Sequence, residues 1–443
     1  MMEIRSRHGY SILIVMILIS SIMSGCIGDG GQDHSDMAIK HVEYLISGNF
    51  EDFYDLFDDT MREEINLMEL EDLWNRLLGA YGNIEDIEDA TEHNDGDYVI
   101  VDLECLFSSG TVGTIELVYD GDNRISGIWF SEGFEYALPP YSDPDSYTET
   151  GLDMVSGEYT LPGVLTMPNG EGPFPAVVLV HGSGPNDMDE SIGPNKPFKD
   201  LATGLASMGV AVLRYDKRTY AYPVNMSMNI FNITLMEETV YDALAAIDVL
   251  KVQPGIEGDR IFLAGHSLGG MSAPRIASLS SDLAGIIIMA GNARPIEELV
   301  VEQYEYLSEY DGTIDDAEKA GIEGMKEIAR KISELDIGDD ELLIGGARAY
   351  WVDLSAYDQV QVAKGLDIPM LIIQGEVDYQ VTMEDFNIWK ESLEGDVTFI
   401  SYAGLNHLLM FSEGPSSGAE YFSSGNVDEQ VVRDIADWIR GTL

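Results

Sequence analysis

The sequence predicts an α/β protein: a domain built on a mostly parallel sheet with helices on both faces and a helical cap, preceded by a small α+β unit. Three features predict it. From residue 176 onward, short apolar runs alternate with helical stretches: Ala176–His181, Val210–Tyr215, Arg260–Gly265, Gly285–Ala290, Pro369–Gln374 and Val397–Tyr402. Runs that are apolar at nearly every position mark strands covered on both faces, as in a parallel sheet with crossover helices. One run leads directly into Gly265-His266-Ser267-Leu268-Gly269, the composition of a sharp strand-to-helix turn. Residues 36–137 follow a different pattern, helical periodicity first and strands afterwards, as expected of a separate α+β unit.

Residues 1–26 read as an export signal. Arg5 and Arg7 precede an apolar run, Ile12–Met23, which is shorter than the roughly 20 residues a membrane-spanning helix needs. Ser24-Gly25-Cys26 resembles the lipobox of exported lipoproteins, with Met23 where Leu is usual. Cys26 is therefore the expected lipidation site, and an uncleaved signal anchor is the alternative. Either places the body of the protein outside the cytoplasm, attached to the cell-surface membrane by its N-terminus alone. Residues 27–35 form a polar, Gly-rich tether.

In the unit at 36–137, helical periodicity runs through Ala38, Val42, Leu45, Phe53, Phe57, Leu70, Trp74 and Leu77. Strands are expected at 97–106, 112–119 and 125–129, with Asp120-Gly121-Asp122-Asn123 as a hairpin turn and His93 in a solvated loop. A Pro-containing linker at 138–146 leads into the larger unit at 147–443. Its first strands, near Tyr147–Met154 and Tyr159–Met167, should form an antiparallel edge. Residues 295–350 are helical and largely polar, at Ile296–Leu307 and Ala317–Leu335, and are expected to cap the site. Their aromatics, including Tyr304, Tyr306, Tyr310, Tyr350 and Trp351, are expected mostly to pack and in part to line a pocket.

Lys and Arg total 24 against 79 Asp and Glu, a formal charge of −55. Such a surface repels polyanions, which argues against a nucleic-acid partner. The two cysteines, Cys26 and Cys105, define no disulfide framework and no metal-ligand spacing, so neither a metal nor a cofactor is expected. Nothing fixes an oligomeric state.

The chemistry centres on Ser267. In G-x-S-x-G, the glycines clear space so that the serine stands exposed on a strained turn. A serine needs a base, and of the seven histidines only His407 follows Ser267, in a loop after the last predicted strand. The acid should lie between them in the chain. Asp378 follows a strand in a short turn, 29 residues before His407. Glu376 is the runner-up, and Asp353 and Asp358 are weaker candidates. Stabilising an oxyanion takes backbone N–H groups. Leu268 supplies one, and Ser183 in the loop His181-Gly182-Ser183-Gly184-Pro185 supplies the second, with Gly182 as the fallback.

These residues resemble the α/β-hydrolase superfamily, most closely its serine aminopeptidase and dienelactone-hydrolase-like acyl esterase branch. Five blocks occur in the same order: His181–Asp187, Arg214–Lys217–Arg218, Gly265–Gly269, Gln374–Val381 and Leu405–His407. Thr219 departs from the pattern, since many relatives have Gly there. Residues 36–137 loosely resemble the NTF2-like domain of unknown function that precedes such hydrolases. The resemblance implies hydrolysis of a small-molecule carboxylic ester through a Ser267-His407-Asp378 triad and an acyl-enzyme. A peptidase or aminopeptidase using the same triad is the alternative, with Glu376 or a cap Glu to hold the substrate amine. A non-catalytic surface-binding lipoprotein is the third.

Overall fold

The computed structural model describes residues 34–95, 98–108, 112–132, 136–310 and 312–442. Cys26, the signal segment and nearly all of the tether lie outside the described residues. Among the described residues, no helix is long and apolar enough to cross a membrane. The chain divides into two compact units between Glu135 and Tyr136. Tyr141 of the expected linker belongs to the second, where its Oη donates to Val427 O at 2.7 Å, and so does Tyr136, expected at the end of the first, whose Oη donates to Asp200 at 2.7 Å.

The described residues of the first unit begin with the helices α1 (His34–Ile46), α2 (Phe50–Tyr54), α3 (Asp59–Glu64) and α4 (Leu67–Tyr81). They are followed by an antiparallel meander, β1 (Ile84–Asp95), β2 (Tyr98–Phe107), β3 (Val112–Tyr119) and β4 (Ile125–Glu132). Alternate residues of the strands, Val101, Leu103, Cys105 and Phe107 with Ile115, Leu117 and Tyr119, form one core with Ala38, Val42, Phe53, Phe57 and Trp74. Cys105 is thus a core residue, and burial pushes its thiol up to about 12. The strand β1 is not among the sequence expectations. His93, expected in a loop, pairs within it opposite Ile100, 3.5 Å from Asp102 and half-exposed.

The second unit opens with an antiparallel edge, β5 (Tyr147–Ser156) and β6 (Tyr159–Pro168), and continues with β7 (Phe174–Val180), α5 (Pro197–Ser207) and β8 (Ala211–Tyr215). Two short helices, α6 (Arg218–Ala221) and α7 (Pro223–Met228), precede α8 (Tyr241–Lys251), β9 (Ile256–His266), α9 (Leu268–Leu279) and β10 (Leu283–Met289). The cap comprises α10 (Ile296–Glu309), α11 (Asp316–Ser333) and a small hairpin, β11 (Leu342–Leu343) with β12 (Gly346–Ala347). The chain ends with α12 (Arg348–Ser355), α13 (Gln359–Lys364), β13 (Met370–Gly375), α14 (Met383–Ser392), β14 (Val397–Tyr402) and α15 (Glu429–Gly441).

The sheet order is β14-β13-β10-β9-β7-β8-β6-β5, parallel from β14 to β8. Alternation sorts the strand residues. Val178, Leu263, Ile286, Ile288 and Ile372 face α8, α9, α13 and α14. Val177, Phe262, Ile287, Leu371 and Ile373 face α5 and α15. Both faces are therefore buried, which is why the strands read as continuous apolar runs. The chain reverses its direction of travel between β7 and β9, so a crevice opens outside their carboxyl ends.

Candidate active site

Ser267 joins β9 to α9 with φ 52° and ψ −117°, a backbone conformation that a serine adopts only under constraint. The constraint is close approach. A Cβ on Gly265 would lie 2.1 Å from Gly269 O, and one on Gly269 would lie 2.2 Å from Val180 O. Glycine is therefore required at both positions. Ser267 N–H donates to Met289 O at 2.9 Å, and Ser267 O accepts from Met271 N–H at 2.9 Å. The helix starts at Leu268 despite the low helix propensity of Gly269 and Gly270. Leu268 N–H consequently belongs to the first helical turn, where backbone donors have no acceptor within the helix.

His407 follows β14 in a loop pinned by Asn406, whose Oδ1 accepts from Leu408 N–H at 3.1 Å and Met410 N–H at 3.2 Å. His407 Nδ1 lies 2.7 Å from Asp378 Oδ2, and both side chains are buried. Asp378 Oδ1 accepts from Gln380 N–H at 2.8 Å and Val381 N–H at 3.1 Å, and Oδ2 accepts from Gln374 Nε2 at 2.9 Å. The carboxylate is surrounded by donors and its plane is fixed. His407 Nδ1 is the donor in that pair, which leaves Nε2 as the basic nitrogen. The other acids weighed are engaged elsewhere. Glu376 is exposed and accepts from Ser401 Oγ at 2.8 Å, Asp353 pairs with Arg275 at 2.6 Å, and Asp358 caps α13 through Gln361 N–H at 2.9 Å.

The serine turn meets the His407 loop through a neighbouring residue: His266 Nε2 is 2.9 Å from His407 O. Among the described residues, no hydrogen bond joins Ser267 Oγ to His407; catalytic contacts of this kind commonly tighten only on substrate. The loop after β7 lies against Ser267, since a Cβ on Gly182 would be 3.3 Å from Ser267 Cβ. Gly182 N–H itself donates to Glu190 Oε1 at 2.6 Å, which removes the fallback oxyanion donor and leaves Ser183 as the loop's candidate. Gly182 O accepts from the buried Lys217 Nζ at 2.8 Å, and Lys217 pairs with Glu238 at 2.6 Å. The Arg214–Arg218 block is structural: Arg214 pairs with Asp189 and Glu149, and Arg218 with Asp242. Thr219 Oγ1 donates to Gly184 O at 3.3 Å.

In the cap, packing claims most of the aromatics. Trp351 is buried with Ile332, Ile337 and Leu343, and Tyr304 fills the space left by Gly321. Tyr306 and the exposed Tyr310 lie outside that core, their rings 6.0 Å apart. Tyr306 stacks on Tyr379, beside Asp378, with ring centroids 5.3 Å apart, and its hydroxyl donates to Ser416 O at 2.8 Å. Arg294, at the entrance to α10, binds Asp385 and Glu302, each at 2.7 Å.

A serine on a strained turn after a central parallel strand, with a buried imidazole and carboxylate at the same sheet edge, defines the α/β-hydrolase class, and the chain is a serine hydrolase of that fold. Residues 173–414 match the family described as serine aminopeptidase, S33, and the chain belongs to that family. Residues 38–128 match a family described as a protein of unknown function, DUF3887. The chain is 37% identical over 406 residues to Esterase EstD of Thermotoga maritima, covering 91% of this chain and 94% of that protein. Among solved structures, Est1E from Butyrivibrio proteoclasticus is 18% identical, with 66% of this chain and 98% of that chain covered and a TM-score of 0.44. A 2,6-dihydroxy-pseudo-oxynicotine hydrolase is also 18% identical, with 66% and 68% covered and a TM-score of 0.43.

Proposed function

We propose that the protein hydrolyses carboxylic esters through an acyl-enzyme on Ser267, with His407 as base and Asp378 as its orienting acid. The observation that carries this reading is the 2.7 Å contact of His407 Nδ1 with Asp378 Oδ2, with the His407 backbone tied to the serine turn. Ser267 Oγ attacks the ester carbonyl carbon while His407 Nε2 takes its proton. The negative oxygen of the tetrahedral intermediate sits between Leu268 N–H and Ser183 N–H. Collapse breaks the C–O bond, and His407 returns the proton to the departing alcohol. Water then attacks the acyl-Ser267 ester by the same route and releases the acid.

Ester rather than amide cleavage is favoured by the likeness to an esterase over nearly the whole chain. It is also favoured by the acid named for amine capture, Glu376, which accepts from Ser401 Oγ at 2.8 Å. Ser267→Ala should lower kcat for p-nitrophenyl acetate by at least about 10⁴-fold while the protein stays folded. Turnover by the pure variant within tenfold of wild type would overturn the assignment. Faster hydrolysis of aminoacyl amides than of acyl esters by the wild type would shift the reading to a peptidase. We further read the protein as exported and lipid-anchored at Cys26. Metabolic labelling with radioactive palmitate should mark the wild type and not Cys26→Ala, and label retained in the variant would rule this out.

A further inference from the structure

Beside the reacting groups lies a buried pair with no part in the mechanism above. Glu190 and His266 are 2% and 6% exposed. Glu190 Oε2 lies 3.0 Å from His266 Nδ1, an ion pair held by charge rather than by a well-aligned hydrogen bond. The other oxygen, Oε1, accepts from Gly182 N–H at 2.6 Å, and the other ring nitrogen, Nε2, lies 2.9 Å from the carbonyl of His407. A carbonyl cannot donate, so Nε2 carries a proton. A carboxylate oxygen faces Nδ1, so the ring is held as an imidazolium, with Nε2 donating to the His407 carbonyl and Nδ1 turned to the charge of Glu190. Charge agrees with geometry. Burial alone would lower the His266 pKa, but the Glu190 carboxylate outweighs burial and raises it, while His266 and the Gly182 amide hold Glu190 below the usual carboxylate range despite its burial. The other titratable groups facing the pair are His181 on the Glu190 side and Asp378 and His407 on the His266 side.

Glu190 is also placed at a cost. It sits at φ 52°, in a loop held by Asp187, whose carbonyl accepts from Glu190 N–H at 3.0 Å and whose carboxylate accepts from Ser191 N–H at 2.9 Å. A non-glycine residue kept in that region signals that its side chain must be aimed.

We propose that Glu190 is a positioning residue: acting through His266, it holds the backbone of His407 and the amide of Gly182 in one continuous line. The line runs Gly182 N–H, Glu190, His266, His407 C=O, and so joins the oxyanion loop, the nucleophile turn and the base loop, which come from three different strands. This rests on the reading of Ser267, His407 and Asp378 as the catalytic groups. Without the line, the base and the oxyanion loop can drift relative to Ser267, and a misplacement of about 1 Å costs about 10²-fold in rate.

The test uses the full chain, with kcat expressed per site labelled by a fluorophosphonate. Glu190→Ala should lower kcat by about 10²-fold with KM changed less than about threefold. Glu190→Gln should recover most of that loss. The Gln carbonyl can accept from Gly182 and its amide can donate to Nδ1 of a neutral His266, whose Nε2–H still reaches His407. In that variant, protonating His266 sets two donors face to face, so Glu190→Gln should gain an extra acid limb in its kcat–pH profile that the wild type lacks. The inference is overturned if Glu190→Ala keeps kcat within threefold, or if the Gln variant is as impaired as the Ala variant. If Glu190→Ala does not fold, the pH profile of Glu190→Gln decides alone, and absence of the extra limb overturns the inference. Ser267→Ala, run alongside, separates the two failures: activity retained there sinks the parent reading, whereas an inactive Ser267→Ala beside an unimpaired Glu190→Ala sinks only the role of Glu190.

Discussion

Replacing Asp378 by Asn keeps the shape of the acid and reverses the chemistry at one of its oxygens. Oδ1 accepts from two backbone amides, Gln380 N–H at 2.8 Å and Val381 N–H at 3.1 Å, so the amide oxygen of Asn must take that side. The Asn Nδ2 then occupies the Oδ2 position, 2.7 Å from His407 Nδ1 and 2.9 Å from Gln374 Nε2. As a donor facing Nδ1, it forces the imidazole into the tautomer with its proton on Nε2, which cannot accept from Ser267. The expected loss is about 10⁴-fold in kcat with KM little changed. Gln374 cannot turn its amide to compensate, because Nε2 also donates to Val381 O at 2.8 Å. The donor–donor contact should therefore lower stability by about 1–3 kcal/mol as well. Stopped-flow turnover of p-nitrophenyl acetate, normalised to fluorophosphonate-titrated sites, measures the first effect, and urea unfolding measures the second. A variant within tenfold of wild-type kcat would show that Asp378 does not set the tautomer of His407.

Two further outcomes follow from buried charges. Arg294→Met leaves the fully buried Asp385 carboxylate with only the amides of Ala293 and Arg294 as donors, which should lower unfolding stability by about 3 kcal/mol. The same change should raise KM more than it lowers kcat as the cap entrance loosens; an unchanged urea midpoint would refute this. Burial pushes the His181 imidazole down to about 4, between the rings of Phe198 and Tyr215. Its folded pKa lies below the unfolded value, so as the pH falls the unfolded chain takes up the proton first. Stability from this group is therefore complete above pH 6.5 and drains away between 6.5 and 4, by about 3 kcal/mol. His266 is shifted in the opposite direction and favours folding at low pH, so the comparison must be made against His181→Gln, whose urea midpoint should fall less than that of the wild type between pH 7 and 4.5. Equal falls in the two proteins would refute the assignment.

The parallel sheet was legible because double burial writes itself into sequence as uninterrupted apolar runs, and the elbow because close backbone approach demands glycine at fixed spacing. Where tertiary contacts break the period, legibility ends. In β1 the pairing register shifts between Ile84 and Asp86 and again between Ile87 and Asp89. These irregularities place Ile84, Ile87 and Ala90 three apart, a spacing that hides a strand. Of the acids between Ser267 and His407, position after a strand singled out Asp378, and its contact with the imidazole accords with that choice. Gln374 and Glu190 carried no comparable signal. Gln374 is visible as part of a block, but nothing in one dimension says that its amide grips a carboxylate four residues on. Glu190 meets His266 across 76 residues of chain through a loop without periodicity.

The cap leaves the sheet after β10 and the chain returns to it at β13, and these two strands are neighbours. For a segment whose ends are adjacent, each doubling of length adds only about 0.6 kcal/mol to the entropic cost of closing it. Such a segment can be lengthened, shortened or exchanged in the course of descent without shifting the register of the strands that carry Ser267, Asp378 and His407. Variation in length between residues 295 and 355 is therefore absorbed within that segment and need not reach the strand ends.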